Sequence, residues 1–178
     1  MNFFTTNIEN DTLENKCYRK VLHTNKNQQL VLMSLKPNED IPMEVHDGDQ
    51  FIRVEKGDGI AIIGETIKDQ HKPCRLATRQ DKYSLVDGSI IMIPAGTPHQ
   101  IINKSNTNDL KLYTLYAPPT HKPKTINITK PKENEEDDEK YQHIDPNVCT
   151  TQKGGLNELY KRKYIKYKNK YFALRHNK

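Results

Sequence analysis

Four side chains in this sequence carry donor atoms suited to a metal ion: Glu44, His46, Gln50 and His99. They lie in two stretches, Asn38-x5-Glu44-x-His46-x3-Gln50-x6-Gly57 and Gly88-x5-Pro94-x-Gly96-x2-His99-x3-Asn103. Two imidazoles and one carboxylate suit manganese, iron, nickel or zinc, and an amide oxygen is a weak neutral donor beside them. A metal held this way polarises a carbonyl or activates water or dioxygen. Successive side chains of an extended segment alternate, so Glu44 and His46 are expected on one face. Gln50 can return to that face, with Gly48 allowing a bend between. His99 arrives from a second strand, after the Pro94-Ala95-Gly96 turn. The competing use of the same residues is a metal-free polar pocket for a small molecule, and the sequence leaves both open.

Strands must bring these residues together, and the chain supplies them. Gln29-Leu30-Val31-Leu32-Met33-Ser34-Leu35 is apolar and β-compatible, and Lys36-Pro37-Asn38 ends it. Phe51-Ile52-Arg53-Val54 runs into a turn at Lys56-Gly57-Asp58-Gly59, and Ile60-Ala61-Ile62-Ile63 leaves it. Further β-rich runs are Ile90–Ile93, Gln100–Ile102 and Leu110–Tyr116. Short strands at this spacing, separated by Gly, Pro and Asn, argue for a sandwich or barrel. The polar stretch Thr66–Lys82 reads as a long hairpin loop.

The two stretches resemble the paired motifs of the cupin superfamily. The first motif of that family usually reads Gly-x5-His-x-His-x3,4-Glu-x6-Gly, and its two His and Glu bind metal with the His of the second motif. By position, Glu44 stands at the first His, His46 at the second, Gln50 at the Glu and His99 at the second-motif His, while Asn38 replaces the leading Gly. The second motif is intact. The resemblance implies a mainly β protein: a cupin double-stranded β-helix, or jelly-roll barrel, which often pairs into a homodimer. Gln29–Pro37, Glu44-Val45-His46, Asp49-Gln50-Phe51 and Lys111–Pro119 further resemble small bacterial cupins labelled mannose-6-phosphate isomerase-like, over roughly residues 15–125. Glu and Gln stand at these ligand positions in that group too. The label implies a sugar-like ligand and a metal-dependent isomerase or oxygenase, but a shared fold does not establish a reaction.

Isomerisation also needs a base that moves a proton between carbons. Inside the barrel the sequence offers only Glu44, so no catalytic residue is assigned. Tyr113 and Tyr116 are candidate pocket residues. Arg53 is a candidate for holding a phosphate or carboxylate, set against the general exposure of charged side chains. His23, His71, His121, His143 and His176 lack motif context and read as surface or loop residues. No Gly-rich phosphate loop, Ser-His-Asp arrangement or Cys-His pair is recognisable.

Hydrophobic residues make up 34% of the chain, so part of its length is not expected to pack. Residues 1–119 are expected to form the barrel with an N-terminal extension. Residues 120–155 read as a polar, largely disordered linker with the acidic run Glu133–Glu139, part of which can lie on the barrel as a strap. In residues 156–178, Leu156, Tyr160, Tyr164, Tyr167, Tyr171 and Leu174 form one stripe of a basic amphipathic helix. That tail carries +7 of a chain whose net charge is +5, leaving −2 on the rest. It resembles Lys/Tyr-rich C-terminal segments of giant amoeba-virus proteins, which implies an address or docking element. Its candidate partners are a protein surface, an anionic membrane and nucleic acid. The alternative for this stripe is packing on its own barrel. The widely spaced Cys17, Cys74 and Cys149 point to a reducing, cytoplasmic setting; with the viral resemblance, that means infected host cytoplasm or a virion. No apolar run approaches the roughly 20 residues of a membrane span, and no signal peptide is expected at the N-terminus.

Overall fold

Alternating apolar residues set the strands, and the inward set of each is buried. Val31, Met33 and Leu35 line one strand, Ile52 and Val54 a second, and Leu110 and Leu112 a third. Each such side chain contributes roughly 1.5–3 kcal/mol on leaving water. The computed structural model describes residues 3–64 and 80–131, with the backbone of 142–143. The elements in chain order are α1 (Ile8–Glu14), β1 (Arg19–Thr24), β2 (Gln29–Leu35), β3 (Asp40–Val45), β4 (Asp49–Lys56), β5 (Gly59–Gly64), β6 (Gln80–Leu85), β7 (Ile90–Ile93), β8 (His99–Asn103), β9 (Leu110–Ala117), β10 (Ile126–Asn127) and β11 (Gln142–His143).

Two antiparallel sheets enclose the core. One has the order β10-β1-β2-β9-β4-β7, the other β11-β3-β8-β5-β6. The chain repeatedly crosses between them, so β3 and β4, which carry the first motif, lie in opposite sheets. The mainly β sandwich agrees with the expected fold class. Helix α1 covers the outer face of β2, β4 and β9. Its cap, Asn7, accepts a hydrogen bond from the Asn10 amide. Beneath it, the Lys111 ammonium donates to the Asn15 carbonyl.

Motif residues shape the turns. Asn38 has φ of 60°, a left-handed conformation. Asn tolerates that region best after Gly, which explains how it replaces the leading Gly. Gly57 has φ of 103°, and a Cβ there would lie 2.8 Å from the Asp109 carbonyl oxygen. The Asn103 amide donates to the carbonyls of Leu35, Lys36 and Asn108, tying the β2–β3 and β8–β9 connections at one end of the barrel.

Two features depart from the sequence reading. Residues 80–82 belong to β6, not to a loop; polar side chains are admitted because the strand lies at a sheet edge, with Gln80–Ser84 exposed. Strand β1 and its partner β10 were not expected, because Arg19-Lys20 and the 120–131 segment are polar. Residues 120–131 pack as a strap. The Tyr18 amide donates to Ile128 O at 3.1 Å, the Val21 amide to Thr125 O at 2.9 Å, and Lys130 pairs with Asp40. The backbone therefore holds this segment where its composition would not. The acidic run Glu133–Glu139 and the expected helix over 156–178 lie outside the described residues.

Candidate metal centre

Strand β3 buries Ile41 and then Glu44, three positions on, which simple alternation does not allow. A register shift in the β3–β8 pairing between these residues resets the phase and turns Glu44 inward. His46 follows two residues later on the same side. Glu44 and His99 are 1% exposed, Gln50 2% and His46 4%. Glu44 and His99 stand directly opposite each other across β3 and β8.

Glu44 Oε1 lies 2.9 Å from His46 Nε2 and 3.3 Å from His99 Nε2. One ligand atom from each of the three residues lies within 4.8 Å of the others. Backbone contacts fix the frame. His99 Nδ1 lies 2.8 Å from the Thr97 carbonyl oxygen, and the Gly96 amide donates to the His46 carbonyl at 2.8 Å. The Ala95 amide donates to Asp49 Oδ1, linking the second-motif turn to the start of β4.

The protonation pattern follows from these partners. A carbonyl only accepts, so His99 Nδ1 carries a proton and, in the neutral ring, Nε2 presents a lone pair. That lone pair faces the Glu44 carboxylate. At 3.3 Å the two are at ion-pair distance, yet Nε2 has no hydrogen bond of sound geometry among the described residues. Burial by itself pushes the Glu44 carboxyl up, but attraction to and hydrogen bonding with His46, joined by the attraction of His99, outweigh it and hold Glu44 well below the usual carboxylate range. An ionised carboxylate and an imidazole lone pair buried side by side repel each other unless a proton or a cation lies between them. The donor set fits a divalent metal.

Gln50 joins from β4. Its Nε2 lies 3.1 Å from Thr114 Oγ1, while its carbonyl oxygen has no hydrogen bond among the described residues. The Tyr116 ring meets His46 edge-on at 5.1 Å.

Arg53 and Tyr113 are not brought to this site. Gln50, Ile52 and Val54 point inward on β4, so Arg53 points outward, where it pairs with Glu55 at 2.9 Å. Thr114 and Tyr116 point inward on β9, so Tyr113 lies on the outer face against Phe51, 6.0 Å between ring centroids. Residue parity alone carries this signal. His121, read as a surface or loop residue, is instead buried and stacks edge-on against Tyr116 at 5.1 Å. No local pattern reveals it, because the residue that holds its backbone is Gln29 on the distant strand β2.

Residues 31–116 match the family described as cupin domain. An uncharacterised protein of Acanthamoeba polyphaga mimivirus is 43% identical over 176 residues, 97% of this chain and 90% of that protein. An uncharacterised protein of Bacillus subtilis (strain 168) is 44% identical over 128 residues, 71% of this chain and 63% of that protein. A Bacillus halodurans protein of known crystal structure is 40% identical, with a TM-score of 0.60, over 71% of this chain and 89% of that one.

Proposed function

Because this chain belongs to the cupin domain family, we propose that it binds one divalent metal through Glu44, His46 and His99, with the Gln50 carbonyl oxygen as a neutral fourth donor. The observation that carries this reading is the buried meeting of the Glu44 carboxylate with His99 Nε2, whose proton-bearing partner nitrogen is already engaged by Thr97. Manganese, iron, nickel and zinc all suit such donors. When bound, the metal supplies Lewis acidity for polarising a carbonyl or activating water or dioxygen.

The chain's own residues do the rest. Thr97 orients His99, Gly96 anchors the His46 backbone, and Tyr116 walls the site beside His46. The ligand is a small polar molecule, sugar-like in class, and the reaction class an isomerisation or oxygenation. A homodimer belongs to the same proposal. Edge strand β7 supports it, because it reads Ile-Ile-Met-Ile without a charge and leaves Ile90 and Met92 exposed. Edge strand β6 of the second sheet carries Asp81 and Lys82, charges that oppose pairing.

A second reading is a non-catalytic binding or structural module associated with a virion and addressed by its basic tail to a protein, membrane or nucleic acid. The mimivirus relative, matching 97% of the chain, favours it. Among the described residues no helix is long and apolar enough to cross a membrane. The test that separates the readings is elemental analysis of full-length protein purified without chelators. Bound divalent metal is expected. Protein that carries none and takes up none of the four metals would remove the first reading.

A further inference from the structure

The strap that follows β9 reaches the site through one residue. His121 is 4% exposed, and its ring meets Tyr116 at 5.1 Å and 88°. Tyr116 in turn meets His46 at 5.1 Å and 80°. Three rings therefore run in series from the strap to a proposed metal ligand.

The strap is fixed at this point by a buried amide. Gln29 is fully buried on β2 and stands directly opposite Tyr116. Its Oε1 accepts from the His121 amide at 2.9 Å, and its Nε2 donates to the His121 carbonyl at 2.8 Å. The Thr24 hydroxyl oxygen accepts a further bond from Nε2 at 2.9 Å. A buried glutamine is costly unless its polar ends are paired. Here both ends hold the backbone of one residue, His121, and the remaining amide proton goes to Thr24. On the other side, Tyr116 stands opposite Gln50. Tyr116 is thus flanked in its sheet by the two glutamines and capped by His121, leaving its ring little freedom beside His46.

We propose that His121 is a positioning residue for the metal centre: it fixes Tyr116 and, through Tyr116, the ring of His46. The proposal rests on the metal reading above. Residues that orient a ligand imidazole contribute to metal affinity without touching the ion. His121 acts by the shape and edge-on contact of its ring, so another flat ring should serve in its place.

The experiment is calorimetric titration of manganese(II) into full-length, chelator-stripped protein, with the visible spectrum of the cobalt(II) form as a second readout. His121→Ala is expected to bind manganese about 10-fold more weakly than the parent and to change the cobalt spectrum. His121→Phe, which keeps a ring, is expected to restore both. Parent-like affinity and spectrum in His121→Ala would overturn the proposal while leaving the metal site standing. A parent that binds neither cobalt nor any of manganese, iron, nickel and zinc would remove the metal reading and this proposal with it. If His121→Ala does not fold, His121→Leu takes its place. Equal affinity and equal spectra for the Leu and Phe variants would then overturn the role of the ring.

Discussion

Glu44 and His99 face each other across β3 and β8 with Oε1 3.3 Å from Nε2, and the other nitrogen of His99 is already held by the Thr97 carbonyl. The sheet register brings the two motifs together at this pair, since one residue comes from each. It also concentrates the chemistry: an anionic oxygen and an imidazole lone pair are buried together. Without a metal, the proton shared with His46 Nε2 at 2.9 Å must satisfy the carboxylate. With one, both groups become ligands.

That relationship has a pH consequence for the metal-free protein. The folded-state value of Glu44 is held below the ordinary carboxylate range, so its ionised form stabilises the fold. The sign follows from linkage: the contribution is complete above the unfolded value of about 4.3 and is lost as pH falls through the lower folded value. Urea unfolding in chelator should therefore show the stability gap between the parent and Glu44→Gln narrowing as pH falls below about 4. A gap that stays constant down to pH of about 3 would mean that Glu44 is not held ionised by its neighbours.

Gly48 sits in the turn between His46 and Gln50, and its requirement is space. A Cβ at this position would lie 2.5 Å from both the Ala117 carbonyl oxygen and Pro118 Cδ. Gly48→Ala must push β9 away from the site, at a cost of about 1–3 kcal/mol. Chemical denaturation should report that loss, and metal affinity should fall with it. A variant as stable as the parent would show that the turn shifts freely.

Strand β7 offers a direct handle on assembly. Met92 is 73% exposed and Ile90 56%, on an uncharged edge. Met92→Lys places a charge there, which blocks edge-to-edge pairing. Light scattering is expected to give a dimer for the parent and a monomer for the variant, with the circular dichroism spectrum unchanged. A parent that is monomeric at all concentrations would remove the dimer from the account.

The motif half of this site was legible in the sequence because strand parity and turn residues are local. Glu44 and His46 share a face as alternation requires, and Asn38 adopts the left-handed geometry that its motif position implies. Parity also places Arg53 opposite Gln50 in sense, and it should have removed Arg53 and Tyr113 from the pocket. The register shift before Glu44 has no local signature. His121 is harder still: its setting depends on Gln29, a polar residue that gains its buried partner only after β2 and the strap have come together. The same holds for β10, whose pairing to β1 joins two polar segments far apart in the chain.

The most direct test of the metal centre is titration of manganese(II) into chelator-stripped full-length protein beside His46→Ala, His99→Ala and Gln50→Ala. The parent should bind about one ion, the two histidine variants none, and Gln50→Ala should bind with a loss smaller than either, as befits a neutral donor. Binding by His99→Ala equal to that of the parent, or a parent that binds none of manganese, iron, nickel and zinc, would contradict the assignment of Glu44, His46 and His99 as a metal site.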